Sequence, residues 1–236
     1  MKMKPNWFYN EIEQAGVDYS DPTQVAVYDN RHQKFRDYQK GAEAIIDAVK
    51  IVPEHNVIDM GAGTGAFSLY AAPHCKTIYA VDVSPVMLEY TRQKAEKRGL
   101  TNIFFCQGGF LTYEHQAPAV DAIVSVAVLH HLPDFWKLIG LRRMIQMMKP
   151  EGRLYLFDVV FPVEMRDYET QFEKWVSSMT KVVGLEFAAE IETHIRDEYS
   201  TYDWVMEEFL TRAGFRIDNA EYTDGFGATY LCTKAA

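Results

Sequence analysis

The chain is poor in cysteine. Its 236 residues include three, Cys75, Cys106 and Cys232. They share no metal-ligand spacing and cannot all pair, which argues against a disulfide framework and points to a reduced, cytoplasmic setting. Positive charge is also scarce: 24 Lys and Arg face 33 Asp and Glu, leaving a net charge of −9. So acidic a chain is a poor holder of a polyanionic backbone, so nucleic acid is not expected as a partner. The densest basic stretch, Arg92 to Arg98, reads as the solvated face of a helix. No apolar run is long enough to span a bilayer, and MKMKPNWFYNEIEQ lacks the apolar core of a signal peptide, so no membrane association is expected. Repeats, low-complexity segments and flexible linkers are missing too. What remains is ordinary globular composition, 48% hydrophobic and 24% charged, enough for one domain with a full core.

Against that background one segment stands out: Val57-Ile58-Asp59-Met60-Gly61-Ala62-Gly63-Thr64-Gly65. An apolar run ends in a carboxylate, three glycines alternate, and a helical pattern from Gly65 to Ala72 follows. This is a strand, a tight turn and a helix start, a layout that brings backbone N–H groups close to a ligand. A second acid, Asp82, ends the next apolar run, at the spacing of a carboxylate that accepts from ribose hydroxyls. Together they predict a site for an adenosine-containing cofactor.

Strand and helix patterns alternate around this segment. Strands are expected at Asn56–Met60, Thr77–Val81, Ile103–Cys106, Ala122–Val126 and Gly152–Asp158, and helices at Gly65–Ala72, Pro85–Arg98 and Phe135–Met148. Such alternation predicts a parallel sheet covered on both faces. Ser84-Pro85 is a helix start, and Lys149-Pro150-Glu151-Gly152 a turn that launches a strand. Near the C-terminus, Tyr202–Ala213 reads as a helix with Ser200 and Asp203 at capping-box spacing, stopped by Gly214. Phe215–Tyr222 and Ala228–Thr233 then form a hairpin-like pair of strands. We expect a single domain over residues 1–236. Its core covers about 45–158 and 200–236, with an aromatic-rich helical cap over 1–44 and a helical lid over 159–199.

These motifs resemble the class I S-adenosylmethionine-dependent methyltransferases, from about Ile45 to the C-terminus. The glycine segment resembles the family's first motif, and Tyr79-Ala80-Val81-Asp82-Val83-Ser84 its second-strand motif. Asp121 to Ser125 and Leu129-His130-His131-Leu132 resemble the fourth-strand motif; Met147 to Leu154 resembles the turn before the fifth strand, with Glu151 where Gly is frequent. The resemblance implies an α/β, doubly wound, mostly parallel seven-stranded, Rossmann-like sheet whose last strand is antiparallel. It also implies S-adenosyl-L-methionine as cofactor. One departure is plain: the family often places an acid after the third strand to accept from the adenine amino group, and Gly109 stands there.

Methyl transfer from a sulfonium is an in-line displacement, helped chiefly by alignment and exclusion of water. For the cofactor the candidates are Asp59, Gly61, Gly63, Gly65, Asp82, Val83, Met87, Gly109, Phe110 and Ser125. By the resemblance, Tyr28 closes over the sulfonium and Arg36 meets the methionine carboxylate; Phe35 lies beside them. His130 and His131 are candidates for proton removal, with Asp158 at the end of the fifth strand. They present no ligand cluster, so no metal is expected. Trp175, Met179 and Phe187 at near-helical spacing are expected to form the lid's own core. The expected acceptor is a small, partly apolar molecule, and the protein a monomer or homodimer. Gly61, Gly63 and Ala66 also satisfy the relaxed dinucleotide pattern, so an NAD(P)-dependent oxidoreductase is an alternative. A non-catalytic cofactor-binding module is another.

Overall fold

The computed structural model describes residues 5–13, 25, 28–29, 36–161, 166–223 and 226–235, without the side chains of 186 and 187. Most of the expected N-terminal cap, including Phe35, therefore lies outside the described residues. So do residues 224–225 of the hairpin loop. Among the described residues no helix is long and apolar enough to cross a membrane.

A sheet carries the fold: β1 (Asn56–Met60), β2 (Thr77–Asp82), β3 (Ile103–Gln107), β4 (Val120–Val126), β5 (Met148–Phe161), β6 (Thr201–Tyr202), β7 (Phe215–Thr223) and β8 (Gly227–Lys234). Its order is β3-β2-β1-β4-β5-β8-β7, and the short β6 pairs with β5 as an eighth strand. Strands β1 to β5 are parallel, whereas β8 runs antiparallel to both β5 and β7. The expected architecture is present, with one extra two-residue strand. Val57, Ile58, Ile78 and Ile123 are fully buried, as the continuous apolar reading of central parallel strands requires.

Helices cover both faces. On one lie α1 (Tyr38–Val49), α2 (Ser68–Ala71) and α3 (Pro85–Lys97). Ala42, Ile45, Ile46 and Val49 of α1 fall at i, i+3, i+4 and i+7 and bury together, the spacing of a single helix face. They join a core with Val57, Ala80 and Val124. On the other face α4 (Asp134–Met147) and α7 (Asp203–Ala213) pack Leu141, Met144, Met206 and Leu210 against Ile58, Ile123 and Leu156. Burying each such side chain contributes about 1.5–3 kcal/mol. The segment between β5 and β6 holds α5 (Tyr168–Val183) and α6 (Leu185–Asp197).

Several expectations need correction. The helix after the glycine segment is a single turn, α2, followed by a 3-10 turn at Ala72–His74; Pro73 gives it an early end. Lys149 to Gly152 sits inside β5 as an irregularity: Val120 pairs with Met148 but Ala122 with Arg153. Ser200 does not cap α7, whose N-cap is Tyr202 without a side-chain bond; its hydroxyl instead meets Nε2 of His194 at 2.8 Å. No residue of α5 is buried. Trp175 lies tilted against Phe226, with ring centroids 4.5 Å apart, and the side chain of Phe187, expected beside it in the lid's core, lies outside the described residues. Two helix ends follow the sequence closely. Ser84 accepts from Met87 N at 3.2 Å with Pro85 beside it, and Gly214 ends α7 at φ 106.

Candidate functional site

The C-terminal ends of β1, β2 and β4 open onto two adjoining cavities of about 70 and 30 Å³. Asp82, Gly61, Val128 and His131 border both. Among the described residues Tyr28, Gly63, Met87, Val126 and Ala127 complete the first, and Glu11, Met60, Val83, Gly109, Phe110 and Leu132 border the second. This is the crevice at a topological switch point, where open α/β sheets take their ligands.

Asp82 ends β2 between them. Its Oδ2 accepts from Gly63 N and its Oδ1 from Ser84 N, both at 2.8 Å. Each carboxylate oxygen keeps a lone pair for a further donor, the need of a vicinal diol. Burial raises the carboxyl above its usual range, against the pull of these N–H groups. The glycine loop turns its own donors inward. Gly61 N and Ala62 N donate to Val81 O at 2.8 and 2.9 Å, and Gly65 N to Ala62 O at 2.9 Å. What it offers a ligand is therefore close approach rather than N–H groups. Gly61, at φ 79, faces Val128 where a β-carbon would collide.

Asp59 does not line either cavity. It is buried and accepts from Ser68 Oγ at 2.6 Å, tying β1 to α2. Burial pushes its carboxyl up to about 7, against the hydrogen bond from Ser68. Gly65 lies apart as well, against Thr91 and Leu69. Ser125 is wholly buried in β4, its hydroxyl without a hydrogen-bond partner. Arg36 borders neither cavity, although its charge reaches the Tyr28 phenol, which burial raises and Arg36 lowers.

His131 and His130 part company. His131 borders both cavities, and burial, then the charge of His130, pushes its imidazole down to about 3. A neutral ring this weakly basic is a poor proton acceptor. His130 borders neither cavity: its Nδ1 lies 2.5 Å from Asp158 Oδ1 and its Nε2 3.3 Å from Glu198 Oε2. Burial lowers it, but Asp158 and Glu198 together lift it above its ordinary value.

Sequence reasoning missed four contributors. Ala127 takes φ 58 at the end of β4, held by its N–H to Phe157 O at 2.8 Å, and turns Val128 toward Gly61. Positive φ at Ala carries no sequence signal. Asp29 accepts from Thr64 Oγ1 at 2.5 Å and meets Lys94 Nζ at 2.7 Å, fastening the helical residue beside Tyr28 to the glycine loop. Glu11 comes from the N-terminal segment to border the second cavity. Its oxygens accept from Leu111 N at 3.1 and 3.0 Å and from Thr112 Oγ1 at 2.6 Å. Burial raises its carboxyl, opposed by those bonds. Glu198 is the fourth. Only the 19-residue spacing from Gly63 to Asp82 was visible beforehand; the others are long-range.

Residues 51–209 match the sequence profile described as "Methyltransferase domain". The chain belongs to that family. It is 26% identical over 204 residues to an uncharacterized methyltransferase, YrrT, of Bacillus subtilis, covering 85% of this chain and 90% of that one. Among solved structures, an S-adenosylmethionine-dependent methyltransferase from Clostridium acetobutylicum superposes with a TM-score of 0.68 at 14% identity, over 91% of this chain and 98% of that one. Magnesium protoporphyrin IX methyltransferase from Synechocystis, solved with bound S-adenosylhomocysteine, gives 0.63 at 16% identity, over 92% and 98%. At these identities both likenesses speak to the fold of this methyltransferase-domain chain. The antiparallel β8 beside β5 departs from the all-parallel dinucleotide order, against the oxidoreductase alternative.

Proposed function

We propose that this methyltransferase-domain protein transfers a methyl group from S-adenosyl-L-methionine to a small-molecule acceptor by in-line displacement. The observation that carries the reading is Asp82: a carboxylate at the end of β2, fixed by two N–H groups and bordering both cavities. Its free lone pairs suit the two ribose hydroxyls. Val83 and Phe110, with Gly109 between them and Glu11, border the cavity suited to adenine. There Glu11 supplies an acceptor where the family often carries an acid at position 109. Gly61, Gly63, Met87 and Tyr28 border the cavity suited to the methionine part. Asp59 supports the loop from behind through Ser68, and Arg36 acts through Tyr28.

On the acceptor side, His131 stands as a neutral imidazole. Trp175, Phe226 and Phe172 make an aromatic group, with ring centroids 4.5 and 5.3 Å apart across Phe226, and Trp175 reaches His194, which lies against His130. This favours a modest-sized, partly apolar acceptor. Alignment of nucleophile, methyl and sulfur supplies most of the rate, as no covalent intermediate is required.

Calorimetric titration with S-adenosylhomocysteine, then with NADH, tests the cofactor. Binding of the former alone is expected; NADH binding alone would overturn the reading. Incubation with methyl-labelled cofactor and a panel of small alcohols, thiols, amines and acids then separates an enzyme from a non-catalytic binding module. Cofactor binding without label transfer to any of them would favour the module.

A further inference from the structure

Beside the cavity floor the fold assembles a polar cluster that methyl transfer alone does not use. His130 and His131 lie on the 3-10 turn after β4, Asp158 on β5, and His194 and Glu198 at the end of α6. Asp158 grips His130 twice: Oδ2 accepts from the backbone N–H at 3.1 Å and Oδ1 meets ring Nδ1 at 2.5 Å. Val159 N donates to Asp158 Oδ1 at 2.8 Å. The ring is thereby fixed with Nε2 toward Glu198 Oε2, 3.3 Å away. Glu198 is held in turn. His194 Nδ1 contacts the same oxygen, and Ser200 holds the other nitrogen of His194. Its neighbour Tyr199 donates its N–H to His130 O at 2.9 Å and accepts from Lys137 Nζ through its carbonyl.

One donor atom from each of His130, His131 and Glu198 lies within 4.8 Å of the others. The His130–Glu198 edge already has the separation of neighbouring donors on an ion with bonds of about 2.0–2.2 Å. An inward shift of the third donor closes the triangle around such bonds. Two imidazoles and a carboxylate are a donor set suited to divalent zinc and its first-row neighbours. Carboxylate support behind a ligating imidazole is the usual outer arrangement of such sites. Here Asp158 stands behind His130, and His194 behind Glu198. Of the three donors His131 borders both cavities, and three protein ligands leave a fourth position for water or substrate.

We propose that His130, His131 and Glu198 bind a divalent first-row transition metal ion, with Asp158 and His194 as positioning residues. On the methyl-transfer reading above, the ion would hold the acceptor's heteroatom, an alcohol, thiol or carboxylate, beside the methyl group. The metal site itself does not depend on that reading. The sequence shows adjacent histidines without a third ligand; Glu198, 67 residues downstream of His131, completes the set only in the fold.

The test uses the full chain, treated with EDTA and titrated with Zn²⁺ by calorimetry without cofactor or acceptor. One equivalent should bind. Glu198→Gln and His130→Gln should each weaken binding tenfold or more, while His74→Ala, at an exposed histidine, leaves it unchanged. Absent binding, or equal binding by wild type and Glu198→Gln, overturns the proposal and leaves an imidazolium held between two carboxylates. A measurement on the unmodified chain covers a variant that does not fold. Co²⁺ should shift the ring resonances of His130 and His131 but not of His74, and uniform or missing shifts overturn the site. Titration of the metal-free chain with S-adenosylhomocysteine is read separately, so failure of the metal site and failure of the cofactor reading are told apart.

Discussion

Glu11 lays its carboxylate against the bare face of Gly109: a β-carbon there would come 2.6 Å from Glu11 Oε2 and 2.8 Å from Val83 Cγ1. The missing side chain in the loop after β3 is thus matched by an acid delivered from the N-terminal segment, a hundred residues away from Leu111, whose N–H it accepts. A side chain at position 109 and the carboxylate of Glu11 would compete for the same space.

Gly109→Ala should lower stability by about 1–3 kcal/mol, the range for overfilling a close-packed site. Glu11→Ala removes the obstructing group and leaves Leu111 N unpaired. In denaturant unfolding the double variant should lose less than the sum of the two singles. Additive losses would show that the residues are not coupled.

Asp82→Asn should weaken S-adenosylhomocysteine binding at least tenfold, or about 1.4 kcal/mol. Asn keeps one acceptor oxygen, and its NH₂ would face either Gly63 N or Ser84 N, donor against donor. Calorimetry gives the affinity directly. Wild-type affinity in the variant would remove Asp82 from the site.

Asp59 predicts a pH dependence. Its folded carboxyl is raised from 3.8 to about 7, so between about pH 4 and 7 the folded chain binds more protons than the unfolded one. This group therefore makes stability fall as pH rises through that window. Asp59→Asn lacks the effect. Relative to wild type its unfolding free energy should improve from pH 5 to pH 8 by on the order of 2–4 kcal/mol. A gap that is flat, or that moves the other way, would contradict a neutral Asp59 at low pH.

Lys137 is fully buried, with Nζ 2.7 Å from Asp134 Oδ1 and donating to Tyr199 O. Lys137→Met keeps much of the volume but leaves the Tyr199 carbonyl without its donor, at a cost of about 1–3 kcal/mol. Thermal unfolding should show that loss, and limited proteolysis should cut more readily near Tyr199. Unchanged proteolysis would mean that Lys137 does not hold the segment that carries Glu198.

Much of the fold was legible because its signals are local. β1 appeared with the expected ends, since Val57, Ile58 and Met60 are apolar on both faces of a central strand and Gly61 ends the run. Ser84, Pro85 and Gly214 act through their own backbone geometry. The length of α2 and the extent of β5 were less legible. β5 continues to Phe161 because β8 and β6 offer it partners at Val159, Val160 and Phe161, and pairing partners are not written in the strand itself.

The site divides along the same line. Asp82 and the glycines Gly61 and Gly63 belong to one strand–turn–helix–strand unit, so the sequence alone determined that they meet, as it determined the sheet class and the family. Asp59 shows the limit within that unit. Its place was visible, but its orientation toward Ser68, away from the cavity, depends on how α2 docks. Glu11 on Gly109, Asp29 on Thr64, and Glu198 beside His130 join segments 35 to 100 residues apart. No periodicity encodes such contacts; they arise when separate segments fold over the same edge of the sheet. The sequence determined a nucleotide-type pocket at the ends of β1 and β2. Only the tertiary structure decided that Glu11 borders it and that Asp29 and Glu198 fasten the loop and the histidine beside it, because burial and close approach, not spacing, select those partners.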